Sequence, residues 1–178
     1  MALGIAVTAS ILLVVIITNS AGIFYQQSSQ IQEGLNINDA LAAIRNNVKL
    51  ASSVAASYTS GSTTYTTSAS QLVLKVSSID SSGNIIANAY DFMVIYTDQK
   101  ILHYKVFPNS SSFRKSADRI FSNSVDSLSF QYLNSAIPPV EVSPTQAVKI
   151  RTTLILKQKN GINTETNTAV SEVNLRND

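Results

Sequence analysis

The chain contains no cysteine and no tryptophan, its one histidine is His103, and its prolines are confined to Pro108, Pro138, Pro139 and Pro144. Without cysteine there is no disulfide framework, no zinc site of thiolate type and no thiol nucleophile. With one histidine, a serine triad would have to rest on His103, and no Gly-x-Ser-x-Gly elbow accompanies the many serines. Neither Gly-x-x-x-x-Gly-Lys nor Gly-x-Gly-x-x-Gly occurs, so nucleotide binding has no support. Asp80, Asp91, Asp98, Asp118 and Asp126 are spaced too irregularly for an EF-hand loop. Charge is scarce as well: charged residues make up 13% of the chain, the net charge is +2, and the basic residues are scattered from Arg45 to Arg176. That distribution offers no patch to nucleic acid or to an acidic substrate. The reading is of a protein that is not an enzyme and that needs no cofactor or metal. Its Ser, Thr and Asn content suits an exported surface.

The most informative absence lies at the front, where Met1 to Gln32 contain no Lys, Arg, Asp or Glu. Leu3, Ile5, Val7, Ile11, Leu12, Leu13, Val14, Val15, Ile16, Ile17, Ile23 and Phe24 make this stretch apolar on every side. From Leu3 to Tyr25, a helix at about 1.5 Å per residue would be roughly 35 Å long, enough to cross a hydrocarbon core of about 30 Å. A secretory signal would carry a basic n-region and an apolar run of only about 7–15 residues. A retained membrane helix over residues 1–30 is therefore the expectation, in contact with the lipid bilayer. Gly4, Ala6, Ala9, Ser10, Ala21 and Gly22 would let such helices approach one another closely.

Beyond that run, Ile37, Leu41, Ile44, Val48, Ala51, Ala55 and Tyr58 recur at alternating steps of four and three. Such spacing predicts that the helix continues over 31–58 as an amphipathic element with one buried face. Residues 59–178 then read as a globular antiparallel β domain. The hydroxyl-rich Thr59–Thr64 is expected to be a loop. Leu72, Leu74 and Val76 alternate with polar or opposite-face residues, and Ser81–Asn84 supplies a turn. Tyr90, Phe92, Val94 and Tyr96 form one strand face, with Asp91, Met93 and Ile95 on the other. Thr97–Lys100 is short enough for a hairpin returning through Leu102, Tyr104 and Val106. Tyr90, Phe92, Tyr96 and Tyr104 are expected to pack against the helix. Further strands are predicted around Val125–Tyr132, Val148–Leu156 and Ala169–Leu175, with polar or proline-bearing loops at Pro108–Ser116 and Ile137–Gln146. The fold class is thus α+β: a long N-terminal helix, membrane-spanning then amphipathic, packed on one side of an antiparallel β-sheet.

This order of segments resembles the type IV pilin and minor pseudopilin (prepilin-like) superfamily. The more specific likeness lies in Ser124–Leu133, the proline loop, Ala147–Leu154 and the closing Ser171–Asn177 run with its Val-x-Leu-Arg-Asn ending. Family members begin with a basic leader, a Gly–Phe cleavage site and a glutamate at the fifth mature position. None of these is in the sequence, and Met1–Val7 is similar to the stretch just after that glutamate. The resemblance implies a start internal to the usual prepilin. It also implies a structural subunit of a type IV pilus or type II secretion-like filament. Other pilins or pseudopilins, an inner-membrane platform protein and an assembly ATPase would be its partners. The implied location is the cytoplasmic membrane, single-pass, with the C-terminal domain periplasmic or extracellular, and a cell-surface filament after assembly. The alternative is a single-span, membrane-anchored extracytoplasmic binding module whose Pro108–Ser116 and Ile137–Gln146 loops present a ligand surface.

Overall fold

The computed structural model describes residues 37–160 and 163–176. The predicted membrane and assembly residues, Leu3, Ile5, Val7, Ile11 to Ile17, Ile23 and Phe24, lie outside the described residues. Among the described residues no helix is long and apolar enough to cross a membrane.

Helix α1 is described over residues 37–50. Its apolar spacing and the alanines at 40, 42 and 43 favour it, and it contains neither glycine nor proline. It buries Ile37, Ala40, Leu41, Ile44 and Val48, while Asp39, Arg45 and Lys49 face solvent. The continuation to Tyr58 does not occur. The Ala51 N–H closes onto the Val48 carbonyl, and then the sheet captures the chain: the Ser52 N–H and Oγ both donate to the Lys75 carbonyl, and the Ala55 N–H donates to that of Val73. Serine at 52 and 53 and the β-branched Val54 favour this exchange of helical for sheet hydrogen bonds. Ala51 is still buried beside the stripe, whereas Ala55 and Tyr58 belong to the sheet region. Among the described residues, the expected α+β arrangement of a long helix packed on one sheet is corrected to a mostly antiparallel β fold with a helix over 37–50.

Among the described residues ten strands come after the helix: β1 (Ser53–Val54), β2 (Ser57–Ser60), β3 (Thr63–Thr66), β4 (Gln71–Ile79), β5 (Ile85–Asp98), β6 (Ile101–Phe107), β7 (Ala117–Ser122), β8 (Val125–Leu133), β9 (Lys149–Asn160) and β10 (Asn163–Asn174). They form a five-stranded sheet β1-β4-β5-β6-β7, a three-stranded sheet β10-β9-β8 and the β2-β3 hairpin. The hairpin between β5 and β6 turns through Gln99 and Lys100, both at positive φ (47° and 68°), with Asp98 paired to Ile101. Two consecutive left-handed residues match the right-handed twist of the strands they join. At the β4–β5 turn, the Asp80 carboxylate accepts from the N–H groups of Ser82 and Asn84 and from the Asn84 amide. The Asn84 bonds, backbone before side chain, hold the Asp80 carboxyl below its ordinary value.

Both larger sheets and the helix share one core. Leu72, Leu74, Val76, Met93, Ile95, Leu102 and Val106 of the five-stranded sheet meet Leu128, Phe130, Ile150, Leu154, Leu156 and Val173 of the other, with Ile44 and Val48 of α1 in the same cluster. Full burial of each such side chain contributes about 1.5–3 kcal/mol, and this shared cluster holds the two sheets and α1 together. The outer face of the three-stranded sheet is polar. There the Arg151 Nε donates to Glu172 Oε1 at 2.6 Å and its Nη1 to Gln131 Oε1 at 3.1 Å.

The outer face of the five-stranded sheet is covered too, by the segment expected to be a loop. Thr59–Thr64 forms most of the β2–β3 hairpin, with Ser60 paired to Thr63 and Gly61 at φ +58° in the turn. Tyr58 stacks on Phe92 with centroids 4.4 Å apart and lies 5.0 Å from Phe107, while Tyr65 approaches Phe107 and Tyr96. Beneath this cover Val73 and Val94 are fully buried yet stand apart from the main core. Of the four aromatics expected against the helix, Tyr104 is on that side, its hydroxyl donating to Asn47 Oδ1 at 2.9 Å. Phe92 and Tyr96 face the hairpin, and Tyr90 lies under the Lys75 ammonium, 3.7 Å from the ring centre.

Candidate functional site

Polar clusters in the described residues are occupied by structural duties. Asp91 lies midway along β5 and is fully buried. Its Oδ1 accepts from Ser78 Oγ (2.7 Å) and the Asn109 N–H (2.8 Å), and its Oδ2 from Ser112 Oγ (2.8 Å) and Arg114 Nη1 (3.0 Å). The Phe113 N–H adds a bond of 2.7 Å to the Ile79 carbonyl. The Pro108–Ser116 loop, expected to be polar and irregular, is thereby fastened to the end of β4 and to the middle of β5. A carboxylate with four donors is fully engaged, and its partners leave no obvious lone pair for a substrate or cation.

His103 lies on the outer face of β6, its ring stacked on Tyr96 at 5.1 Å and 15°. Among the described residues no hydrogen bond joins the ring to a serine or carboxylate, so no nucleophile and base are paired through it. Its strand neighbour Lys105 bonds Asp118 at 3.2 Å, and that carboxylate, ahead of the opposing desolvation, pushes the Lys105 ammonium pKa upward. Burial raises the Tyr104 phenol, against a smaller opposing pull from Arg114 and Arg119. Burial also raises that of Tyr132, whose hydroxyl donates to the Ser68 carbonyl at 2.7 Å. Among the described residues no three of His, Asp and Glu converge to hold a metal ion.

The described surface also carries an exposed apolar loop tip and two grooves. Between β8 and β9 the chain makes a closed loop around Asn134, whose Oδ1 accepts from the N–H groups of Ala136 (3.1 Å) and Val140 (2.9 Å) and whose own N–H donates to the Val140 carbonyl (3.0 Å). Asparagine suits this position because its short side chain reaches nearby backbone donors. The loop contains a cis Ile137–Pro138 bond and carries Ile137 at 99% exposure, with Val140 at 55%. A groove of about 350 Å³ adjoins it, floored by Val148 and bounded by Lys149 and Asn174. A second, more polar groove of about 370 Å³ runs between α1 and β10, lined by Asn38, Asp39, Leu41, Ala42, Arg45, Val170 and Ser171.

Ile137 and Val140 are large apolar side chains that the Asn134 loop leaves exposed. Of the residues singled out from the sequence, Ile37, Leu41, Ile44, Val48 and Ala51 are brought together inside the domain. The two loops of the alternative reading arise on different sheets, one after β6 and the other between β8 and β9. Sequence reasoning treats Ile137–Gln146 as a whole and misses the Asn134 clasp; the Asn-x-x-Ile-Pro-Pro-Val spacing is the signal that could have found it. Comparison with protein-family models and with curated proteins finds no match to this chain.

Proposed function

We propose that the chain is a structural subunit, a minor pilin or pseudopilin of a type IV pilus or type II secretion-like filament. Its N-terminal apolar run holds it in a membrane, with the β domain on the extracytoplasmic side. One observation carries the reading: Met1–Gln32 is charge-free, and the amphipathic stripe beyond it is consumed within the domain, leaving the apolar run as the surface that still needs a dry environment. Lipid meets that need first and sister helices in a filament meet it afterwards, so transfer between the two is close to balanced and an assembly motor can drive it. The partners on this reading are other pilins or pseudopilins, a platform protein and an ATPase.

The test is Leu12→Lys in the full chain. A lysine near the middle of the run costs about 2.5–3.5 kcal/mol on insertion scales. The expected result is loss of membrane retention with a circular dichroism spectrum of the β domain unchanged. Undiminished sedimentation with membranes would overturn the proposal. The anchorage of Pro108–Ser116 by Asp91 favours a second reading, an anchored binding module with a preset loop. Neighbouring genes for prepilin-like proteins, a prepilin peptidase or a secretion ATPase support the filament; a solitary gene supports the module.

A further inference from the structure

We infer that Asn109 is a site of N-linked glycosylation, accepting one sugar chain from a lipid-phosphate-linked donor. The inference goes beyond the function proposed above and rests on the extracytoplasmic placement within it. Of all the asparagines in the sequence, Asn109 is the one followed two positions on by serine or threonine, in Asn109-Ser110-Ser111, with no proline between. That spacing is the acceptor signature for attachment to an amide nitrogen, and it works on surface loops. Three residues recur by chance; the geometry around these three is more specific.

Asn109 is exposed in the turn after β6, and its Oδ1 accepts from the Ser111 N–H at 3.0 Å and from the Ser111 Oγ at 2.8 Å. A backbone N–H can only donate, so the carboxamide orientation is fixed, with oxygen toward Ser111 and nitrogen away from it. Among the described residues Nδ2 has no hydrogen-bond partner. The hydroxyl that the signature requires therefore touches the acceptor amide, and the nitrogen that would carry the sugar is left to solvent. The backbone on both sides is held: the Asn109 N–H donates to Asp91 Oδ1 at 2.8 Å, the Ser112 N–H to the Asn109 carbonyl at 2.9 Å, and the Ser112 Oγ to Asp91 Oδ2 at 2.8 Å. Replacing one Nδ2 hydrogen by a sugar breaks none of these bonds. The fold accommodates the product without rearrangement of its loop.

In the transfer, Nδ2 bonds to the anomeric carbon of the sugar as the bond from that carbon to the phosphate oxygen breaks. The lipid phosphate leaves with the electron pair, and one Nδ2 proton passes to a base of the transferring enzyme. Nothing is oxidised or reduced. Asp91 pins the finished loop to the sheet, so transfer belongs to the emerging chain, before residues 108–116 are captured.

The full chain is extracted with detergent from the membranes of the cells that encode it, and its peptides are weighed by tandem mass spectrometry. The expected result is a sugar-sized mass increment on Asn109. Asn109→Gln and Ser111→Ala should each lose the increment, and Ser111→Thr should keep it, with the circular dichroism of the β domain unchanged in all three. A bare Asn109 overturns the inference, as does equal modification of Ser111→Ala and Ser111→Thr. An increment that survives Asn109→Gln places the sugar on a hydroxyl instead and overturns it too. A Ser81→Cys variant of the cysteine-free chain separates this inference from the reading it rests on, because Ser81 is exposed in the β4–β5 turn. It is offered a bilayer-impermeant maleimide in cells with the outer envelope opened and the cytoplasmic membrane intact. Labelling with a bare Asn109 removes the glycan and leaves the extracytoplasmic domain standing; neither labelling nor increment removes both.

Discussion

Arg114 Nη1 lies 3.0 Å from Oδ2 of Asp91, a carboxylate with no solvent exposure at all. Removing one partner of such a pair leaves the other charge stranded. Arg114→Ala should therefore destabilise the domain by about 3 kcal/mol, the low end of the usual range because the guanidinium keeps some water. Asp91→Ala should cost at least as much, since Ser78, Ser112 and the Asn109 N–H lose their acceptor together. Asp91→Leu with Arg114→Met should recover most of the loss. Urea unfolding followed by circular dichroism measures all three, and a double variant no better than the singles would contradict this account of the pair.

The β2–β3 hairpin is held down by ring contacts more than by backbone pairing to the sheet beneath. Tyr58→Ala removes its contacts to Phe92 and Phe107. At about 0.5–1.5 kcal/mol for each aromatic pair, the loss should be near 2 kcal/mol. Hydrogen exchange should quicken at Thr63–Thr66 first, before the amides of β5 and β6 respond. Simultaneous acceleration throughout both sheets would mean that the hairpin is not a separate opening unit.

Alkaline pH should weaken the fold. The Tyr104 and Tyr132 phenols are raised by burial, so above the ordinary tyrosine value of about 10 the unfolded chain gives up protons that the folded one retains. Stability is then fully present below that pH and falls as pH rises toward the folded values. Lys105, raised by Asp118, acts in the same direction but is open to salt screening. Asp80 acts oppositely, its contribution being present above the usual carboxylate value and lost as pH falls through the lowered one. Tyr132→Phe should flatten the alkaline slope while costing about 1 kcal/mol at neutral pH for the lost hydrogen bond. An unchanged slope in unfolding midpoints from pH 9 to 11 would exclude Tyr132 as a source.

Gly61 turns the hairpin at φ +58°, and no atom lies within 4 Å of the place its Cβ would occupy. The cost of Gly61→Ala is then purely conformational, about 1 kcal/mol. Gly61→Asn should cost less, since asparagine visits the left-handed region more readily. Thermal unfolding of the two variants compares them directly; equal losses would point to a different cause.

Local patterns were legible in the sequence where one rule acted alone. The period-two runs at Leu72–Val76, Tyr90–Tyr96 and Val148–Leu156 are strands, and the two faces of β5 separate as the alternation requires. Which face meets the helix was not legible, because aromatic Phe92 and Tyr96 on one side compete with Met93 and Ile95 on the other, and the hairpin buries the first set. The stripe from Ile37 to Tyr58 misled for a related reason: beyond Val48 a spacing of three and four persists, but Ser52 and Ala55 find sheet carbonyls closer than helical ones. Ala117–Ser122 carries too few apolar residues to declare itself, and pairing with β6 makes it a strand. Asp91 read as one of several scattered carboxylates; only its tertiary donors distinguish it.

With Val73 and Val94 buried on one side of β4 and β5 and Leu74, Met93 and Ile95 on the other, simple hydrophobicity cannot tell these strands in which frame to align. A slip by a single position would exchange two greasy surfaces for one another at small expense, were it not for the polar groups set among them, Asp91 on the core side and Lys75 on the other. Moved to the aromatic side, Asp91 would meet rings instead of Ser78, Ser112 and Arg114, forfeiting its donors in one step. The buried Asp91 thus works as a keyway, admitting one alignment of the central strands and rejecting its neighbours.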